Sequence, residues 1–284
     1  MEDHLPQRVR VERRAVSEEE SRLANGPDWD RYADEYQATH GGFLGNTGFV
    51  WGPEGLTEDD AAVLGDVAGR EVLEVGSGAG QCSRWVRVHG GTSYGLDLSA
   101  RQLQHSRRID EESGVAVPSV LATATALPFA DAAFDVALGA FVVNHLPHPE
   151  RAAAELRRVA RTVALAMWGP EDEVGLLGLP ASAARDLDAG VPPGPDSLRF
   201  TDAGELARLI GGTVDETTPT LHIDDLDELW DGVRGGTVRT AARLAAATPA
   251  QLEAARTRLC ELAEPYRTRS GYDLPTTIRI ALAG

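Results

Sequence analysis

The densest chemical signal in the chain is EVLEVGSGAGQC, residues 71 to 82, where a short apolar run gives way to Gly76, Gly78 and Gly80. Glycines at a strand-to-helix turn let the backbone approach a ligand closely and aim the N-terminus of the following helix at it. A dinucleotide fingerprint would need glycine at 81, where the chain has Gln81, and Glu74 precedes the first glycine inside the strand. Asp97 closes the next apolar run, TSYGLDL, about twenty residues on, where a carboxylate accepts the hydroxyls of a ribose. Together they predict a nucleoside site that is not a dinucleotide site. The two cysteines, Cys82 and Cys260, stand far apart with no CxxC or Cys/His cluster, so neither a disulfide framework nor a zinc ribbon is expected. No metal-ligand spacing occurs, and no metal is expected.

These residues need a scaffold that sets a glycine turn and an acid at neighbouring strand ends. Thr57 starts a helix with an acidic first turn, and strands then alternate with helices. EVLEVG is followed by a helix from Gln81 to His89, TSYGLDL by a helix capped at Ser99, and SVLATA and FDVALGA by a helix from Pro149 to Ala160 and the strand TVALAMW. Continuous apolar strands separated by amphipathic helices predict an α/β doubly wound domain, its parallel sheet covered on both faces. Upstream, residues 1–26 carry charge without apolar periodicity and read as a mobile, solvated arm. WDRYADEYQ places Trp29, Tyr32, Ala33 and Tyr36 on one helical face. HGGFLGNTGFVWGPEGL then reads as a glycine-rich loop, either a lid or a plain surface loop. Beyond Trp168 comes a loop rich in Gly and Pro, a capped helix (RFTDAGELARLIGG), a strand (TVDETTPTLHID), three helical stretches over 225–268 and a last strand, PTTIRIALA.

With 284 residues, 42% of them hydrophobic, the chain can bury a sizeable core. Its 27 Lys and Arg face 44 Asp and Glu, a formal charge of -17 that argues against gripping nucleic acid through phosphates. The start is charged and without an apolar core, and no run approaches the ~20 apolar residues of a membrane span. The expectation is a cytoplasmic protein with no membrane or nucleic-acid partner, acting as a monomer or homodimer.

VLEVGSGAG, GLDLS, ALPFADAAFD and FVVNHLPHPERAAAELRRVA, in that order, resemble the class I S-adenosylmethionine-dependent methyltransferases, and among them the small-molecule type with a ubiquinone-biosynthesis-like core. The resemblance runs from about Trp29 to Trp168. It implies a Rossmann-like, mostly parallel sheet with an N-terminal helical lid and a helical insertion before the last strand. The implied division is a lid over 27–56, a cofactor-binding core over 57–168 and substrate-side elements over 169–284, with the insertion at 225–268. Carried over to this chain, Glu74, Gly76, Gly78 and Gly80 would line the methionine part of S-adenosylmethionine, Asp97 would hold the ribose and Leu98 would lie against adenine. Ala140 would belong to the same set. Where relatives carry an acid for the adenine amino group this chain has Thr123, so either Thr123 or the backbone around Ala124 accepts that bond. Relatives also insert a Pro-Gly-Gly turn before the fifth strand, which RVARTVALAMW lacks.

Methyl transfer from a sulfonium is an in-line displacement, so alignment and exclusion of water dominate and a base is optional. The segment after the fourth strand, GAFVVNHLPHPE, replaces the Asn-Pro-Pro-Tyr motif of nucleic-acid and protein-amide methyltransferases, which implies a small-molecule substrate. Asn144 and His145 fall at the expected substrate mouth. His145 reads either as a general base or as a packing group bonded to backbone, and His40 is a second candidate base. His148 reads as exposed at a helix start. Tyr32 and Tyr36 have counterparts in relatives whose N-terminal helix folds over the cofactor; the alternative for at least one is core packing. Trp51 and Trp168 face either the pocket or the core, and Asp110, Glu111 and Glu112 read as a solvated face. The same scaffold also runs cyclisation or elimination without methyl transfer in some relatives, which stands as the alternative activity.

Overall fold

In β1 (Glu71–Val75) every residue after the first is buried, because the strand has a parallel neighbour on each side and helices over each face. The structure, a computed structural model, describes residues 18–52, 55–146, 148–187, 198–236 and 238–284. The remaining elements of the core follow β1 in order: α3 (Gln81–Val88), β2 (Thr92–Asp97), α4 (Ala100–Ser113), β3 (Ser119–Leu121), β4 (Phe134–Ala140), α5 (Pro149–Val159) and β5 (Ala160–Trp168). With β6 (Thr213–Thr217) and β9 (Ile278–Ala283) they form a seven-stranded sheet in the order β3-β2-β1-β4-β5-β9-β6, in which β9 alone runs against its neighbours. This is the doubly wound, mostly parallel α/β sheet expected from the sequence.

Each face of the sheet buries its own cluster. Leu73, Val75, Ala137, Val163 and Leu165 pack beneath α5 and α7 (Ala203–Ile210) through Leu156, Leu206 and Ile210. Val72, Val136, Leu138, Ala164 and Ala166 meet Cys82, Trp85 and Val86 of α3 together with Phe49 and Trp51. A third cluster lies beyond Trp168, where α6 (Gly175–Ala183), α8 (Leu226–Gly236) and α10 (Pro249–Ala263) join a two-stranded ribbon of β7 (Thr220–Ile223) and β8 (Tyr272–Pro275). α9 (Val238–Ala246) connects α8 to α10, so the expected helical insertion is present before the last strand.

Ser99 caps α4 by accepting from the Gln102 amide, Asp202 caps α7, and Thr248 with Gln251 forms a capping box on α10. α5 passes to β5 without a turn: Val159 ends the helix and Ala160 is already extended. The acidic start at Thr57 gives only one turn, α2 (Glu58–Ala61), and Glu58 is buried there rather than solvated.

The structure departs from the sequence reading in three further places. α1 runs from Glu18 to Leu44, through Gly41 and Gly42, so the arm is helical from residue 18 and the loop begins only at Gly45; residues 1–17 lie outside the described residues. Glycine weakens a helix interior by about 1 kcal/mol but does not forbid it, and packing of α1 against α4 and α8 overrides that cost. The Gly/Pro-rich stretch after Trp168 contains α6, with Pro180 inside it. TVDETTPTLHID divides at Thr218 and Pro219 into β6 and β7 in different sheets, and the last strand shortens to β9, with β8 just ahead of it paired to β7.

Candidate functional site

The glycine turn leaves β1 at Gly76 and enters α3 at Gln81. Gly76, Gly78 and Gly80 have φ of 69°, 51° and 80°, left-handed conformations that favour glycine. A side chain at Gly76 would also strike Val142 at 2.9 Å, and one at Gly80 would strike Ser106 Oγ at 2.7 Å. At Gly78 nothing lies closer than Gln102 Oε1 at 3.9 Å, so the middle of the turn is open to a close approach.

Asp97, at the end of β2, is bound into this turn. The Gly78 amide donates to its Oδ2 at 2.8 Å and the Ser99 amide to its Oδ1 at 2.8 Å. Burial pushes its carboxyl up, the amides of Ser99, Gly78 and Leu98 oppose that, and nearby Asp30 adds repulsion. The structure thus brings together the two features read from the sequence, the turn and the acid. Leu98 follows Asp97 half-buried. Thr123, half-buried in the loop after β3, shares a 2.9 Å hydrogen bond with Thr125, while Ala124 beside it is buried. Ala140 ends β4 half-buried, and Phe141 after it adopts a left-handed φ of 55° while stacking on Trp168 at 4.1 Å.

Glu74 lies beneath the start of α3. Ser83 donates to its Oε2 from both backbone (2.9 Å) and hydroxyl (2.5 Å), and burial lifts the carboxyl to about 7. The same burial, with Glu74 alongside, pushes the Cys82 thiol well up. The described contacts of Glu74 therefore anchor the helix behind the turn.

The far wall comes from α1 and the segment after β4. Trp29 meets the His145 ring edge-on at 5.1 Å and Tyr36 edge-on at 6.3 Å, and Tyr36 stacks on His40 at 4.5 Å. His145, Trp29, Tyr36 and His40 thus form one aromatic row, uniting both candidate bases and one of the two tyrosines. Burial raises the Tyr36 phenol and lowers His40. His40 Nδ1 contacts the Tyr36 carbonyl at 3.2 Å, and since a carbonyl only accepts, Nδ1 carries the proton and a neutral ring leaves Nε2 as a base. Tyr32 is half-buried on the same helix. Asn144 sits beside His145 in a 3-10 turn, its Oδ1 buried and without a protein partner. Trp51 belongs to the core: it is wholly buried and donates to Glu58 Oε2 at 2.7 Å. His148 is half-buried at the start of α5.

Sequence reasoning missed the clamp that holds α1 here. Asp30 accepts from the Ser99 hydroxyl at 2.5 Å and the Arg101 amide at 3.0 Å, while Asp34 receives Arg101 and His105 at 2.7 to 2.9 Å. It also missed Arg84, whose wholly buried guanidinium pairs with Asp110 at 2.8 Å. Asp110 is therefore a buried charge's partner, while Glu111 and Glu112 are exposed as expected. An arginine one turn beyond a glycine loop was the available signal. Among the described residues no group of His, Cys, Asp or Glu is arranged to hold a metal, and no helix is long and apolar enough to cross a membrane.

A family model described as a methyltransferase domain matches residues 73–165. An uncharacterised protein of Mycobacterium tuberculosis is 33% identical over 136 residues, 46% of this chain and 50% of that one. A ubiquinone/menaquinone biosynthesis C-methyltransferase of Burkholderia mallei is 34% identical over 96 residues, 33% of this chain and 40% of that enzyme. The chain thus spans about half the length, or less, of these curated relatives. Two solved structures share the fold: the YcgJ protein of Bacillus subtilis (19% identical, TM-score 0.50, covering 76% of this chain and 90% of that one) and the [4+2]-cyclase SpnF (20% identical, TM-score 0.52, covering 91% and 93%). The matched stretch, about a third of the chain, holds the glycine turn, Asp97 and the strands that set them side by side, and it is to a methyltransferase domain that this part of the chain is similar.

Proposed function

We propose that the protein transfers a methyl group from S-adenosylmethionine to a small molecule. The observation that carries this reading is the junction of β1 and β2, where three left-handed glycines meet a carboxylate bonded directly to the amide of the middle one. The turn suits that cofactor: its centre is open where a side chain would intrude, and Asp97 keeps further lone pairs for a diol after taking two amides. Gly76, Gly78 and Gly80 would hold the amino-acid part, Asp97 the ribose, and Leu98, Thr123 and Ala124 the base, with Thr123 accepting through an oxygen it shares with Thr125. When bound, S-adenosylmethionine supplies an electrophilic methyl carbon on a sulfonium.

The chain's own contribution is alignment and dryness. Trp29, Tyr36 and His145 wall off water, and the unpartnered Asn144 Oδ1 offers an acceptor for an O–H or N–H of the substrate. His40 takes a proton at Nε2 where the nucleophile needs one removed; His145, packed edge-on against Trp29, serves mainly to hold the lid. The net charge of -17 favours a small acceptor over a nucleic acid. The deciding experiment incubates the protein with methyl-labelled S-adenosylmethionine and candidate acceptors. Label leaving the cofactor for an acceptor, with S-adenosylhomocysteine formed in equal amount, is the expected result. Substrate conversion with all label retained on the cofactor would instead give the chain the kind of reaction named for SpnF, whose fold it shares.

A further inference from the structure

We propose that Arg84 is a positioning residue that locks the glycine turn and the exit of α1 into one frame, so that binding S-adenosylmethionine orders the lid. The proposal rests on the reading that this turn holds the cofactor. Arg84 projects from α3, is 0% exposed, and spreads its donors over three segments. Nε donates to the carbonyl of Asn46, in the turn that follows α1, at 2.6 Å. Nη2 donates to the carbonyl of Ala79, inside the glycine turn, at 2.5 Å. Nη1 donates to Asp110 Oδ1 at 2.8 Å and lies 3.5 Å from the Ser106 carbonyl, both on α4.

A buried guanidinium has no water to replace a lost partner, so displacing any one segment strands a donor of a charged group. The three segments therefore move together or not at all. Room for the guanidinium is made by Gly80, where a Cβ would lie 3.1 Å from Nη1, so the third glycine of the turn serves Arg84 as well as the backbone. Arg84 also faces Glu74 and Cys82, the titratable pair beneath the turn, and draws both of their pKa values down against burial. Its planar fork is what spans the three acceptors. A lysine ammonium keeps the charge and can follow Asp110, but its donors radiate from one atom and cannot also reach Asn46 and Ala79.

The test is hydrogen exchange of the full chain with and without S-adenosylhomocysteine, comparing the unmodified protein with Arg84→Lys. In the unmodified protein the ligand should protect both the 76–80 turn and α1. In Arg84→Lys its affinity should fall ~10-fold or more, and at saturation the turn should still gain protection while α1 does not. A merely structural role would raise exchange without ligand and lower the melting temperature, yet leave the ligand-induced gain at α1 intact. That outcome overturns the proposal, as does a lid in the unmodified protein that does not respond to bound ligand. No binding of S-adenosylhomocysteine by the unmodified protein overturns the cofactor reading, and the proposal with it. If Arg84→Lys does not fold, Asp110→Asn removes the anchor of the same guanidinium and is read the same way: a reduced gain at α1 supports the lock, and an undiminished one overturns it.

Discussion

At Glu74, burial and hydrogen bonding pull one carboxyl in opposite directions, and burial wins: the group titrates at about 7 although Ser83 gives it two hydrogen bonds. Its folded-state pKa lies above the ordinary 4.5, so the folded protein holds a proton that the unfolded chain releases as pH rises past 4.5. Stability from this group is therefore complete at low pH and is lost between about 4.5 and 7, by ~3 kcal/mol in total. Asp97, also raised by burial, adds a change of the same sign. Gln mimics the protonated carboxyl and still accepts from Ser83. Urea unfolding of Glu74→Gln across that pH range should show the variant gaining on the unmodified protein by ~3 kcal/mol by pH ~8. Parallel pH profiles would mean that Glu74 is ionised in the fold. The sequence made the glycines and Asp97 legible because backbone conformation and ribose chemistry each demand particular residue types. It hid the roles of Glu74 and Arg84, since a charged residue beside a turn reads the same whether its head group is wet or wholly buried.

Among the elements, the parallel strands were legible because a strand covered on both faces must be apolar throughout, as β1, β4 and β5 are. α1 was legible only over Trp29 to Tyr36. Its remaining turns carry glycine and charge with no apolar spacing of their own, and what fixes the helix as a whole is contact with distant elements, as where Asp30 and Asp34 reach α4, about 70 positions along the chain. Proline and glycine hid α6 in the same way, since Pro180 is tolerated in a helix whose face is covered by the third core cluster. The α1 clamp is largely exposed. Arg101 and His105 hold the Asp34 carboxyl down to about 2, but Asp34 retains 59% of its side-chain exposure, so salt should screen this contact. Exchange of α1 amides in the ligand-free protein should therefore quicken between low salt and ~1 M salt, where the Debye length shrinks to ~3 Å, while α5 is unaffected. If α1 is equally protected at both ionic strengths, the aromatic row rather than the clamp holds it.

On the scale of the whole molecule, ligand preference follows from where the sheet places its turn and acid. A ligand that binds only the folded state stabilises it by mass action, ~2.7 kcal/mol at a hundredfold excess over Kd, which for a chain of this size raises Tm by about 5 °C. S-adenosylmethionine and S-adenosylhomocysteine should both produce this shift, because what they share, the ribose and the amino-acid tail, is what Asp97 and the glycine turn are placed to hold. NADH carries a ribose as well but should give no shift, because the chain has Gln81 where the dinucleotide fingerprint needs its third glycine to pack the helix close against the strand. Asp97→Asn removes the charge and keeps an acceptor for only one of the amides of Gly78 and Ser99, which donate to different oxygens. It should weaken S-adenosylhomocysteine by ~1.5 to 3 kcal/mol and erase most of the shift at the same ligand concentration. Thermal melts of the unmodified chain and of this variant with each ligand decide the matter. A shift with NADH but not with S-adenosylmethionine would mean that the β1–β2 junction serves a different nucleotide, and an undiminished shift in Asp97→Asn would move the ribose away from β2.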